Sequence, residues 1–277
     1  MTRAFAPAKI NLTLHITGQR DDGYHLLDSL VVFTDIGDEL QIEPARGLTL
    51  EVTGPCATDV PGDGSNLILR AARCLHPSKG AKIRLQKSLP VASGMGGGSS
   101  DAAAALRGLS EIWGEPLPQE PASLGADVPV CLRARPTRMS GIGDRLDKVP
   151  TLPQSWLVLV NPRVAVPTPQ VFARVASKQN PPMPKKVPAF DTVHSFADWL
   201  GRMRNDMEPA AIGIKPVIAT VLDGIKAQPG CLLGRMSGSG ATCWGMFDSQ
   251  AKAQRAARSI ATQNPGWWVK PAEITPL

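Results

Sequence analysis

The chain has 277 residues, 43% of them hydrophobic, and a formal net charge of +6, with mean hydropathy near zero; this is the profile of a globular protein with room for one large domain or two ordinary ones. Its basic residues are dispersed, Lys185 and Lys186 being the only adjacent lysines, which excludes a basic nucleic-acid tail and leaves anionic small ligands such as nucleotides as the class that suits the charge. Five cysteines, odd in number and without a C-x-x-C pair, argue against a disulfide framework or a zinc site and for reduced thiols in an intracellular compartment, most of them expected as small core residues.

In chain order, the amino-terminal stretch MTRAFAPAKINLTLHI does not read as a signal peptide, because Pro7, Lys9 and Asn11 interrupt the apolar run. No later run is long enough to span a bilayer, and a cytoplasmic location is the expectation. Strands are predicted at residues 8–16, 30–33, 48–52 and 82–85, with a helix over 66–75. A glycine-rich loop follows, then a helix whose apolar positions Ala102, Ala105, Leu106, Leu109 and Ile112 recur at helical spacing. Pro116, Pro118 and Pro121 predict loop across 114–121. From about residue 154 an α+β half is expected: a buried strand at 156–160, a Pro/Lys-rich loop at 180–188, helices near 194–203 and 216–227, a hairpin within 231–247, a helix at 249–263 and a strand at 267–269.

The densest chemistry lies in LPVASGMGGGSSDAAAA, residues 89–105. Gly94, Gly96, Gly97 and Gly98 remove side chains that would keep a polyphosphate from the backbone, and they allow the positive φ angles that aim successive N–H groups at one anion. Ser99, Ser100 and Asp101 are expected to cap the helix that follows, whose positive end then points at the anion. A Walker A loop would need Gly-Lys-Ser/Thr where Ser99 follows Gly98, and a dinucleotide G-x-G-x-x-G begun at Gly94 meets Ser99 at its last glycine. A flexible linker is the plain alternative, but linkers are rarely bounded by an apolar strand and a helix.

Alternation in AKINLTLHI puts Ala8, Ile10, Leu12, Leu14 and Ile16 on one strand face and Lys9, Asn11, Thr13 and His15 on the other. That second face reads equally well as a site or as an ordinary solvent-exposed face. RDDGYH, residues 20–25, predicts a turn at Asp22-Gly23 that carries Tyr24, the only tyrosine, and His25; it is either an ordinary turn or a device for stacking and hydrogen-bonding a planar base. Asp127 in LGADVP reads as a helix cap or as a carboxylate needing a cationic partner such as Lys9. PTPQVF, residues 167–172, is a stiff lead into a helix that delivers Phe172, and MSGSGATCW, residues 236–244, is a second glycine turn.

In this order PAKINL, RDDGYH, GMGGGSSDAAAA, LGADVP, NPRVAVPTPQVF, NDMEPA and MSGSGATC resemble the GHMP kinase superfamily over nearly the full chain, and DGYH with PTPxxF resembles its cytidyl-substrate branch. The resemblance implies an α+β fold of two domains, residues 1–153 similar to ribosomal protein S5 domain 2 and residues 154–277 ferredoxin-like, with the active site in the cleft between them. It implies transfer of phosphate from ATP, with Mg²⁺, to the C2 hydroxyl of 4-diphosphocytidyl-2-C-methyl-D-erythritol, a step of the non-mevalonate isoprenoid route. Carried over, Asp127 is the general base and Lys9 its electrostatic partner. Pro90, Val91, Ala92, Ser93, Gly94, Met95, Gly96, Gly97, Gly98, Ser99 and Ser100 bind the ATP phosphates, with Asn66 and Lys87 near the nucleoside. Tyr24 and Phe172 sandwich the cytosine, His25 bonds its edge, and Asn11, Thr168 and Pro169 line the sugar and diphosphate.

The connection at residues 114–123 is shorter and richer in proline than the family's, which bears on the placement of Asp127. No acidic residue matches the magnesium-binding glutamate of some other members, so the metal ligands stay open. The expected partner is a small cytidine diphosphate-linked substrate, with neither nucleic acid nor membrane, and the chain is a monomer or a homodimer. A GHMP kinase for another alcohol, mevalonate- or homoserine-like, is the near alternative, against which DGYH and PTPxxF speak. A non-catalytic RNA-binding module of S5-like fold is the alternative of a different class, and it would show salt-dependent RNA binding without ATP turnover.

Overall fold

A computed structural model describes residues 1–275. Its elements in chain order are β1 (Thr2–Asn11), β2 (His15–Gln19), β3 (His25–Pro44), β4 (Thr49–Thr53), α1 (Leu67–Leu75), β5 (Ala81–Gln86), α2 (Gly97–Trp113), a 3-10 turn (Pro121–Ser123), α3 (Val128–Arg133), β6 (Thr137–Gly141), β7 (Arg145–Lys148), β8 (Trp156–Asn161), α4 (Thr168–Arg174), α5 (Val193–Gly201), α6 (Glu208–Ile214), α7 (Val217–Lys226), β9 (Leu233–Met236), β10 (Cys243–Phe247), α8 (Gln250–Gln263) and β11 (Trp268–Glu273). They form two compact units, each assembled from three chain segments: Met1–Lys9, Ile36–Val91 and Gly96–Ala134 in the first, and Ile10–Asp35, Ala92–Met95 and Arg135–Leu277 in the second.

In the first unit β4 runs parallel to β5, and β5 pairs antiparallel with the last part of β3, Leu40 opposite Leu85 and Ile42 opposite Ile83. The core beneath this sheet joins Leu40, Ile42, Ile83 and Leu85 to Ile68 and Ala72 of α1 and to Ala104, Ala105 and Leu109 of α2. Asn66 starts α1 because its side chain accepts the N–H of Ile68. α2 ends where Gly114 turns left-handed, and the prolines beyond it prevent a further turn of helix, so the predicted loop is present.

In the second unit the order β11-β8-β10-β9 makes a four-stranded antiparallel sheet. With α4 to α7 between β8 and β9, and α8 between β10 and β11, this is a ferredoxin-like arrangement, as expected. β8 is central, which explains its uninterrupted apolar run, and the hairpin expected within 231–247 is β9 and β10. α8 buries Ala253, Ala256, Ala257 and Ile260, one helical stripe against that core. Fully buried Phe247 contributes about 1.5–3 kcal/mol by its removal from water.

Two local expectations are corrected. The strand expected over 8–16 is broken: β1 ends at Asn11 and β2 starts at His15. Arg235 Nη1 donates to Leu12 O (2.9 Å) and Trp244 Nε1 to Asn11 O (3.1 Å), so two side chains satisfy carbonyls at the break. Nor do Ser99, Ser100 and Asp101 cap α2. The helix already starts at Gly97, its cap position is Gly96 with left-handed backbone (φ +61°), and no side chain caps it.

Candidate functional site

Lys9 is 4% exposed and Asn11 2%, Thr13 and His15 are buried, and so the face that alternation left ambiguous is not a solvent-exposed one. In the first unit Lys9 Nζ stands 2.6 Å from Asp127 Oδ2, the lysine side chain 5% exposed and the aspartate 31%. Asp127 occupies the position before α3, yet its side chain makes no capping bond. The reading of Asp127 as a helix cap is thereby replaced by an ion pair with Lys9, and the short connection at 114–123 does deliver Asp127 to its cation.

The glycine loop is supported in each unit. In the first, Gly96 lies so close to Lys9 that a β-carbon there would sit 3.3 Å from the lysine Cβ. The first intrahelical bond of α2 is Ser100 N–H to Gly96 O, 2.8 Å. This leaves the N–H groups of Gly97, Gly98 and Ser99 without an acceptor inside the helix, the arrangement that binds anions. Ser100 Oγ itself donates to Pro7 O, 2.7 Å. In the second unit residues Ala92–Met95 are braced by the turn between β9 and β10: Ser237 Oγ donates to Gly94 O (2.9 Å) and Thr242 N–H to Ser93 O (3.1 Å). Ser237 Oγ also accepts the N–H of Asn11, 3.0 Å.

Asn66 and Lys87, expected near the nucleoside, each have partners within the protein. Asn66 Oδ1 caps α1 while its Nδ2 donates to Pro61 O, 2.7 Å. Lys87 is buried, and its ammonium is held 2.6 Å from both Asp38 Oδ2 and Asp101 Oδ2. Burial pushes that lysine's pKa down, but the two carboxylates outweigh it and the net direction is up.

The second unit carries the aromatic group. In the turn between β2 and β3, Gly23 N–H bonds Arg20 O and Tyr24 N–H bonds Asp22 Oδ1, with Gly23 at φ +88°. Tyr24 is left 62% exposed. His25 stacks on Phe172 with ring centroids 4.3 Å apart and 21° between planes, so one face of Phe172 is taken by His25. His25 Nε2 is buried without a hydrogen-bond partner, and burial, assisted by Lys178, lowers the pKa of its imidazole. Phe172 comes from α4, which Pro167 leads and Pro169 stiffens, and Thr168 Oγ1 lies 2.8 Å from Ser239 Oγ. Asn11 Nδ2 donates to Ser29 Oγ (2.7 Å), while Asn11 Oδ1 is buried and has no partner.

His15, the first residue of β2, lies in the same unit. A carbonyl only accepts, so Nδ1 is the protonated nitrogen facing Pro181 O at 3.1 Å, and Nε2 accepts the N–H of Arg204 at 3.4 Å. Burial first, and Arg204 next, hold its pKa below the ordinary 6.5. The folded protein therefore binds fewer protons here than the unfolded chain, and this contribution to stability is present above pH 6.5 and is lost as pH falls. Chemical denaturation from pH 7.5 to 5 is expected to show that loss, and His15→Asn to flatten it; an unchanged profile in the variant would remove His15 as the cause.

The sequence reading missed Asp38, Ser29 and Ser237, and took Asp101 only as a helix cap. Asp101 gave a signal, an acidic residue set against a run of alanines, whereas Asp38, between Gly37 and Glu39, gave none. Ser29 and Ser237 gave none, since a serine in a strand or a glycine turn reads as ordinary. Among the described residues no group of three His, Cys, Asp or Glu could hold a metal ion, and no helix is long and apolar enough to cross a membrane.

Residues 66–143 match the GHMP kinases N terminal domain and residues 187–266 the GHMP kinases C terminal domain. The chain is 57% identical over 277 residues to the 4-diphosphocytidyl-2-C-methyl-D-erythritol kinase of Cereibacter sphaeroides (strain KD131 / KCTC 12085), covering 99% of each. It is 58% identical over 270 residues to the enzyme of that name from Dinoroseobacter shibae, covering 98% of this chain and 94% of the relative. A crystal structure of 4-(cytidine 5'-diphospho)-2C-methyl-D-erythritol kinase matches with TM-score 0.79 at 31% identity, over 99% of this chain and all of the other. The homoserine kinase from Cytophaga hutchinsonii shares the fold at TM-score 0.66 and 18% identity, over 99% of this chain and 94% of the other. With both kinase domains matched, and relatives above half identity along its whole length, the chain belongs to the GHMP kinases and, within them, to the 4-diphosphocytidyl-2-C-methyl-D-erythritol kinases.

Proposed function

We propose that this chain transfers the γ-phosphoryl group of ATP to the C2 hydroxyl of 4-diphosphocytidyl-2-C-methyl-D-erythritol, giving the 2-phosphate and ADP, in the cytoplasm. The observation that carries the choice of acceptor is His25: its ring lies on Phe172 and its buried Nε2 lacks a partner, which suits the edge of a base beside an aromatic platform. Tyr24, exposed on the preceding turn, supplies the second face. Asn11 Oδ1, equally without a donor, suits a hydroxyl of the sugar, with Thr168 and Pro169 lining the diphosphate. The reading divides the chain at residue 153, and the two family matches fall on either side of that point.

A tertiary alcohol is a weak acid, so Asp127 accepts its proton late, as the new P–O bond forms. The Lys9 ammonium, 2.6 Å from the carboxylate, orients it and sets positive charge beside the attacking oxygen. The N–H groups of Gly97, Gly98 and Ser99, which have no acceptor inside α2, take the phosphate oxygens, with the loop from Pro90 onward wrapping them. Mg²⁺ enters with the nucleotide as the MgATP substrate.

The test incubates the protein with MgATP and 4-diphosphocytidyl-2-C-methyl-D-erythritol, with mevalonate and homoserine in parallel, and weighs the products by mass spectrometry. Phosphate gained only by the cytidyl compound supports the reading; phosphate gained only by another alcohol overturns the roles of Tyr24, His25 and Phe172. Tyr24→Ala is expected to raise the acceptor KM about tenfold, the loss of one stacking face worth about 1.5 kcal/mol, and to leave the KM for ATP unchanged. A variant that loses ATP affinity instead would contradict the sandwich.

A further inference from the structure

The buried cluster Asp38, Lys87 and Asp101 in the first unit is used by none of the chemistry above, and its geometry ties together the two ends of the glycine loop. At the leading end, Asp38 Oδ1 accepts the N–H groups of Ser88 (2.6 Å) and Leu89 (2.9 Å), while its Oδ2 takes the ammonium of Lys87. At the trailing end, Asp101 in the first turns of α2 takes the same ammonium through its Oδ2. A β-carbon on Gly97, the first residue of α2, would stand 3.2 Å from Lys87 Nζ and 3.9 Å from Asp38 Oδ2, so the cluster lies directly against the start of that helix.

We propose that Asp38, Lys87 and Asp101 are a positioning triad for the phosphate loop, which joins the segment leading into the loop to the helix leaving it and so fixes where the loop's N–H groups point. Exposure is 0% for the Asp38 side chain, 3% for Lys87 and 5% for Asp101. Two carboxylates and one ammonium so buried would carry an uncompensated negative charge against the site of a polyanion, which is unfavourable both for folding and for nucleotide. A proton on Asp101 removes it. Burial raises the Asp101 carboxyl to about 7 against the opposing pull of Lys87, with the Asp38 charge adding to the rise. Asp101 Oδ1 has no hydrogen-bond partner, which marks Asp101 as the group that needs no full charge.

The inference rests on the loop being the nucleotide site, and its test has a readout that does not. Asp101→Ala leaves the Lys87–Asp38 pair intact. In this variant, amide exchange across residues 88–100, measured without nucleotide, is expected to speed up at least tenfold relative to wild type. The KM for ATP is expected to rise about tenfold, with the acceptor KM unchanged. Asp101→Asn, neutral and of the same shape, is expected to restore both readouts to within about threefold of wild type. Wild-type exchange and KM for ATP in a folded Asp101→Ala protein would overturn the triad's role. An Asp101→Asn variant with altered exchange would overturn the proposal by itself, even where the alanine variant does not fold. Failure of the wild-type protein to bind MgATP would instead strike the kinase reading, and the exchange result would still decide whether the triad fixes the loop.

Discussion

Asp127→Ala is expected to reduce kcat for phosphoryl transfer by about 10²–10⁴-fold, the range for loss of a positioned proton acceptor, while nucleotide still binds. The physical basis is the pair with Lys9: the carboxylate is one-third exposed, makes no helix-capping bond and is held 2.6 Å from a buried ammonium. Alanine leaves that ammonium without its partner and so costs stability as well. Asp127→Asn separates the two effects, because an amide oxygen still accepts from Lys9 but takes no proton at neutral pH. Calorimetric binding of a non-hydrolysable ATP analogue together with single-turnover rates decides the matter. Turnover within about threefold of wild type in Asp127→Asn would remove Asp127 as the base.

Gly94→Ala is expected to be the most damaging change within the glycine loop. Its backbone is left-handed (φ +77°), and a β-carbon would stand 2.4 Å from Ser237 O and 2.9 Å from Gly240 O, both backbone atoms with no rotamer to escape into. The segment must shift, and with it go the bonds from Ser237 Oγ to Gly94 O and from Thr242 N–H to Ser93 O. Displacement of a positioning element by about 1 Å costs on the order of 10²-fold in rate, and the strain adds roughly 1–3 kcal/mol to the loss of stability. Gly224→Ala, within α7 and with nothing within 4 Å of the added carbon, is the control and is expected to stabilise by about 0.5–1 kcal/mol. Thermal melts and steady-state rates of the two variants test this, and an active, stable Gly94→Ala protein would contradict the brace.

Local signals were legible where one segment decides its own fate. The glycine loop, the helix beginning after Asn66, the proline-rich end of α2, the apolar run of β8 and the Asp22-Gly23 turn each follow from backbone sterics or from periodicity within a few residues. Both errors came where distant segments decide. Residues 8–16 alternate like one strand, but the carbonyls of Asn11 and Leu12 are taken by Trp244 and Arg235, more than two hundred positions away, and the strand divides. Asp101 has the composition of a helix cap, yet the helix starts earlier, on a left-handed glycine, and turns that carboxylate inward to Lys87.

The sequence alone determined the class of chemistry, since a glycine-serine loop leading into a helix has few physical uses other than holding phosphate, and its order with DGYH and PTPxxF carries the family. Tertiary structure alone decided which polar residues act together. That Lys9 meets Asp127 118 positions on, that Lys87 is spent on two buried carboxylates, and that Ser237 holds both Gly94 and Asn11 depend on where the backbone carries each side chain. A charge or a hydroxyl takes its role from the partner that replaces its water, and no spacing within the chain names that partner.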